Sequence, residues 1–211
     1  MGIMNILFCA YRDWAINSFK YCELNKPVDT NWSLIEKSEH LFNEDISHYD
    51  IIFFIGCIML HPSPLPKYRG GSPIQHQIIN GEDLSAVTLF IMNKKLDTGD
   101  IISQRPYCLS GDLSDILDRI SNIGSNMIVN LVDCYKQTRH LKTVKQIESH
   151  ATFYRRRTPE QSEITIDELF NSTAEQVHNK VRSLQDPYPN AFIRLFNGQK
   201  LYLCKTKLKL K

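Results

Sequence analysis

The stretch IIFFIGCIML (51–60) limits what this chain can become more than any other. It is apolar on both alternating faces and rich in β-branched and aromatic residues, as a strand covered by helices on both sides must be. It runs directly into HPSPLPKYRGGSP (61–73). Pro62, Pro64 and Pro66 each fix φ and remove a backbone donor, so the chain has to leave the sheet there as a stiff, extended loop. Gly70 and Gly71 then allow a tight turn and close backbone approach. A buried strand that ends on a histidine and a rigid loop implies an α/β sheet with something to present at its edge.

The rest of the N-terminal portion agrees. MNILFCA (4–10) is strand-like, and WAINSFKYCEL (14–24) places Trp14, Ile16, Phe19 and Leu24 at roughly helical spacing. Residues 27–47 are polar, with SLIEKSEHLF a candidate short helix. No crossover segment of about a dozen residues interrupts 51–60, so these residues read either as one strand or as two from which a connecting segment between Cys57 and Ile58 is missing. Ser72 and Pro73 suit a helix N-cap and first helical position, and IQHQIIN closes near Gly81. AVTLFIM (86–92), the turn LDTGD and IISQRPY (101–107) give two more strands. Asp112 can cap a long helix whose stripe runs Leu113, Ile116, Leu117, Ile120, Ile123, Ile128, Leu131, Val132 and Tyr135. The expected fold is α/β, a Rossmann-like, mostly parallel sheet flanked by helices, with a small α+β C-terminal module.

From about 141 the chain turns polar and basic. A helix near 171–184 follows, then two short strands, NAFIRLF and KLYLCK, around the turn NGQ. We read residues 1–150 as a catalytic domain, abbreviated near 26–60, and 151–211 as a module too small to stand alone, docked on the sheet. The lysines of KTKLKLK alternate with Thr206, Leu208 and Leu210, a pattern that suits an edge strand protected by charge.

Composition narrows function by exclusion. No window approaches 18 consecutive apolar residues, and the N-terminus has no basic stretch before its apolar run, so the chain is expected to be cytoplasmic, without a membrane partner. A net charge of +2 does not predict nucleic-acid binding. The six cysteines form no CxxC pair, which suggests free, buried thiols and no metal site.

His61 stands where the apolar strand ends, and ligands of open α/β sheets bind outside the C-terminal ends of strands. Asp97, in LDTGD, follows a second strand in the same way. A carboxylate can orient an imidazole and stabilise its charged form, so the two together point to acid–base chemistry.

HPSPLPKYRGGSPIQHQIINGE, AVTLF and LDTGDIISQ together closely resemble the formyltransferases that use N10-formyltetrahydrofolate, including the 36-residue spacing from His61 to Asp97. YRDWA, FYRRRTPEQSEI and VRSLQDPYPNAFI resemble the branch acting on nucleotide-linked amino sugars. The resemblance implies a donor cofactor, N10-formyltetrahydrofolate, and a small-molecule partner, a nucleotide-linked amino deoxysugar; a homodimer is compatible with it. It implies that His61 removes the amine proton or stabilises the tetrahedral oxyanion, while Asp97 holds His61 and shuttles protons. Ile55, Gly56, Leu96, Thr98 and Gly99 would line the pterin pocket. Lys67 and Arg69 would meet the diphosphate, Ser72 and Gln75 the sugar, and Tyr188 and Asn190 the nucleotide. Met59 stands where that family usually carries an asparagine that donates to the oxyanion. A catalytically degenerate relative that still binds nucleotide or folate, and a glycinamide ribonucleotide formyltransferase, are the alternatives. Methionyl-tRNA formylation is disfavoured by the short C-terminal module.

Overall fold

The structure is a computed structural model that describes residues 3–9, 13–36, 45–49, 51–53 and 58–209. Strand β1 (Met4–Cys9) leads into helix α1 (Asp13–Leu24) and then β2 (Thr30–Ile35) and β3 (Ile51–Phe53). These strands make a parallel sheet in the order β2-β1-β3, with Ile6 opposite both Trp32 and Ile51. The segment SLIEKSEHLF therefore begins as strand, because Ser33–Ile35 continue the ladder on β1; residues 37–42 lie outside the described residues.

A second sheet carries the site. β4 (Ile58–His61), β5 (Arg69–Gly70), α2 (Pro73–Ile79), β6 (Leu84–Ile91) and β7 (Ile101–Cys108) follow in the chain. β4, β6 and β7 pair antiparallel in that order, with His61 opposite Thr88 and Met59 opposite Phe90. The one-strand expectation for 51–60 does not hold at its described ends, which join different ladders. The two ends belong to sheets of different pairing, parallel for β3 and antiparallel for β4, and residues 54–57 lie outside the described residues. An uninterrupted apolar run hides such a change, since a covered strand looks alike in either sheet.

The long helix α3 (Leu113–Thr138) buries its apolar stripe against both sheets. It starts in a turn where the Asp115 carboxylate accepts from the Asp112 N–H at 3.0 Å. Ile116, Ile120, Ile128 and Val132 join Ile6, Phe8, Val87 and Leu89 in one core. Helix α1 lies along α3, with the Ser18 and Ser121 hydroxyls 3.0 Å apart and Phe19 and Cys22 buried between them. Burial pushes the Cys22 thiol up to about 12. Among the described cysteines all are free, but Cys108, Cys134 and Cys204 are exposed; the expectation of uniformly buried thiols fails because these three sit at strand, helix and tail positions facing water.

Beyond α3, β8 (Phe153–Tyr154) pairs parallel with β5. Helices α4 (Ile166–Asn171) and α5 (Ala174–Ser183) and the hairpin β9 (Ala191–Arg194)–β10 (Lys200–Leu203) enclose a second, small cluster of Ile164, Val181, Leu184 and Ala191. Helix α5 also packs on helix α2. Arg182 Nη1 donates to the Leu109 carbonyl at 2.5 Å and Gln185 Oε1 accepts from the Leu113 N–H at 2.8 Å, so the start of α3 is part of the seat. Residues 204–209 form no strand; Lys205 instead reaches Asp112 at 2.6 Å, and an ion pair replaces the expected edge. No helix among the described residues is long and apolar enough to cross a membrane.

Candidate active site

His61 ends β4 and is only 5% exposed. Its Nε2 lies 3.0 Å from the Tyr68 carbonyl oxygen, which can only accept, so Nε2 carries the proton and Nδ1 presents a lone pair. Burial lowers the imidazole below its usual 6.5; the Asp97 charge and the Tyr68 carbonyl oppose that shift without overcoming it. Burial thus favours the neutral form of the ring. Phe90, two positions beyond Thr88 on β6, meets the imidazole edge-on at 6.4 Å between centroids.

Asp97 is equally buried and sits in a left-handed turn, φ 53°. Its Oδ2 accepts from the Gly70 N–H at 2.7 Å and stands 3.9 Å from His61 Nδ1. That separation is outside hydrogen-bond range. The carbonyl of Tyr68, not Asp97, holds the imidazole, which corrects the expected division of labour. Asp97 instead stands across a 3.9 Å gap from Nδ1.

The loop between His61 and Gly70 is fixed from outside. Arg69 N donates to Thr152 O, and Gly71 N to Tyr154 O, both at 2.9 Å. Tyr68 and Tyr154 stack at 4.9 Å between centroids. Thus KYRGG and FYRRR, far apart in the chain, are stitched into one surface. Gly70 is needed there: its φ is +97°, and a Cβ would fall 2.2 Å from the Tyr154 carbonyl.

Several site assignments change. Arg69 is 3% exposed, and its guanidinium is taken up by Gln146 Oε1 (3.1 and 2.9 Å) and the Glu148 carboxylate (2.8 and 2.9 Å), not open to a diphosphate. Ser72 stands at the helix start but has φ 54° and makes no side-chain cap; its Oγ accepts from the Arg157 N–H at 3.1 Å. Tertiary pairing has won over the local capping rule. Lys67 is exposed, and its side chain has no partner among the described residues. Gln75 is buried on α2 and its Nε2 has no hydrogen-bond partner among the described residues. Tyr188 packs against the main core from the C-terminal cluster, and Asn190 donates to Asp186 Oδ1 at 3.0 Å, so neither is brought against His61 by any described contact.

Of the expected pterin-pocket residues, Ile55 and Gly56 lie outside the described residues. Leu96, 58% exposed, Thr98 and Gly99 share the Asp97 turn, and Thr98 Oγ1 donates to Asn93 Oδ1 at 2.8 Å. Met59 lies two residues before His61, on the same face of β4, and is half-buried. Gln146 and Glu148 were missed by sequence reading; they sit in a polar stretch without periodicity, and nothing local marks them. Among the described residues no group of His, Cys, Asp or Glu could hold a metal.

A buried His–Asp pair beside a proline-stiffened loop is thus carried on an α/β core. Residues 52–132 match the Formyl transferase family and residues 158–211 match Formyl transferase, C-terminal domain; the chain belongs to the formyl transferase family. It is 37% identical over 153 residues to the methionyl-tRNA formyltransferase of Ehrlichia canis (strain Jake), covering 72% of this chain and 46% of that one. The chain spans about half the length of the curated relatives it matches. Among solved structures it resembles methionyl-tRNA formyltransferase from Clostridium thermocellum (26% identity, TM-score 0.75, 94% of this chain and 96% of that one). It shares the fold of the N-formyltransferase from Helicobacter canadensis, solved with folinic acid and dTDP-3-aminofucose (18% identity, TM-score 0.64, 85% and 80% covered).

Proposed function

We propose that the protein transfers a formyl group from N10-formyltetrahydrofolate to the primary amine of a nucleotide-linked amino deoxysugar. The observation that carries the reading is the buried His61, held at Nε2 by the Tyr68 carbonyl with its Nδ1 3.9 Å from Asp97 Oδ2. When bound, the folate supplies the formyl carbon and the N10 leaving nitrogen. Leu96, Thr98 and Gly99 form its pocket; Gln75 and Lys67 reach the acceptor, and Tyr188 and Asn190 the nucleotide. His61 Nδ1 takes the proton that the amine loses as its nitrogen bonds to the formyl carbon. The imidazolium so formed would be stabilised by the Asp97 carboxylate and would hold at Nδ1 the proton that the donor's leaving nitrogen needs. In this reading residues 1–150 carry catalysis and 151–211 support the loop that holds His61.

The Helicobacter canadensis complex, with both a folate and a nucleotide-linked amino sugar, supports the acceptor class. A second reading, formylation of an aminoacyl-tRNA, is favoured by the 37% identity to a methionyl-tRNA formyltransferase. Incubation with N10-formyltetrahydrofolate and either a panel of nucleotide-linked amino sugars or methionyl-tRNA, followed by product mass, separates the two. Formyl gain on a sugar that disappears in His61→Gln supports the first; gain on tRNA alone replaces it with the second. No gain on any acceptor, with nucleotide still bound, would mean a binding protein that has lost the chemistry.

A further inference from the structure

The hydrogen bonds behind Asp97 converge on Gln146. Its carboxamide is fully used: Nε2 donates to the Asp97 carbonyl at 2.9 Å and to the Gly99 carbonyl at 2.7 Å. Oε1 accepts from Arg69 Nε and Nη2 at 3.1 and 2.9 Å. Arg69 is buried and further clamped by both oxygens of Glu148. The residue after Arg69, Gly70, supplies the N–H that holds the Asp97 carboxylate. Asp97 is thus gripped from two sides by adjoining pieces of one assembly, its backbone through Gln146 and its side chain through Gly70. The grip maintains a left-handed conformation that an aspartate without anchors readily leaves.

We propose that Gln146 is a positioning residue for the transfer reaction: by anchoring the Asp97 turn to the buried Arg69 it sets the stand-off between the Asp97 carboxylate and His61 Nδ1, keeping room for the acceptor amine. The inference rests on the formyl-transfer reading. It assigns Arg69 to the scaffold of the acid–base pair and makes the polar segment before β8 part of the site. Asp97 is the charged group that acts on the imidazole; its other close neighbours among the described residues, the Tyr68 carbonyl and the Phe90 ring, are uncharged.

The test is Gln146→Met, which keeps the chain length and removes both donors and the acceptor. The turn then relaxes and carries the carboxylate away, so the His61 titration midpoint, followed by imidazole NMR, falls below that of the native protein. The formyl-transfer kcat drops by about tenfold or more while KM for the acceptor changes little, as misplacement of a catalytic group predicts. An unchanged or raised midpoint overturns the proposal, as does an unchanged kcat. If the native protein formylates no acceptor, the reaction reading fails separately and the NMR titration alone decides the role of Gln146. Should Gln146→Met not fold, Arg69→Lys, which removes the planar fork seated on Gln146, is expected to give a smaller fall of the same sign; no fall there overturns the proposal equally.

Discussion

A methyl group at position 99 tests the geometry of the Asp97 turn directly. A Cβ on Gly99 would lie 1.4 Å from the Ile91 carbonyl oxygen and 2.6 Å from its carbon. Both are backbone atoms, so no rotamer change relieves the clash, and β6 and the turn must part by more than an ångström. That movement breaks the Ile91 N–H bond to Asp100 O at 2.9 Å and the Gln146 bond to Gly99 O at 2.7 Å. Two hydrogen bonds at about 1 kcal/mol each, plus about 1–3 kcal/mol for forcing a group into packed space, put Gly99→Ala about 3–5 kcal/mol below the native protein. That is a large share of a stability of about 5–15 kcal/mol. Gly81→Ala is the control: its φ is +77° but no atom lies within 4 Å of the added Cβ, so it costs only about 1 kcal/mol of backbone strain. Urea unfolding of both variants at one pH, with midpoints converted through a common slope, gives the comparison. If Gly99→Ala costs no more than Gly81→Ala, the close approach of turn and strand is wrong, and the assigned grip on Asp97 falls with it.

Two further expectations concern the chemistry of β4. Met59→Asn places an amide donor two residues before His61 on the same strand face, and we expect formyl transfer to rise by about tenfold or more if the oxyanion lies there; an unaltered kcat would falsify Met59 as the position of a missing donor. Burial lowers both His61 and His76 below 6.5, so the unfolded chain takes up protons that the folded chain resists. The stability they contribute is complete above about pH 6.5 and is lost as pH falls through their lowered folded values, so urea midpoints should decline on acidification, and less steeply in His61→Gln; parallel declines in the two proteins would remove His61 from the account.

The parts of this molecule that were readable in advance are those dictated by near neighbours in the chain. Three prolines within five residues force a loop wherever they occur, and LDTGD turns in almost any context, so His61 and Asp97 could be placed at strand ends from the chain alone. The apolar stripe of α3 was equally plain, because a 3.6-residue period held over 26 residues is the mark of an amphipathic helix. What could not be read were properties that depend on distant partners. The run 51–60 carries no mark of where parallel pairing gives way to antiparallel, since the ladder is decided by β1 and β6. Ser72 follows the local pattern of a cap, yet its hydroxyl is claimed by a backbone N–H 85 positions away.

The charged residues show why such failures concentrate near the site. An arginine in a proline- and glycine-rich loop is, on average, a surface charge, and a diphosphate is a reasonable partner for it. Here the loop is so tightly drawn onto β8 that Arg69 is turned inward, and a buried guanidinium must commit its donors to fixed acceptors. Gln146 and Glu148 supply them from a segment with no periodicity of its own. Once Arg69 is anchored, Gly70 is anchored, and with it the hydrogen bond from its N–H to the Asp97 carboxylate. His61 and Asp97 are thus placed less by the strands that deliver them than by the stretch from Gln146 to Tyr154. It follows that substitutions in that polar stretch, remote from His61 in sequence, should disturb proton transfer more than equally conservative changes on the exposed faces of α3.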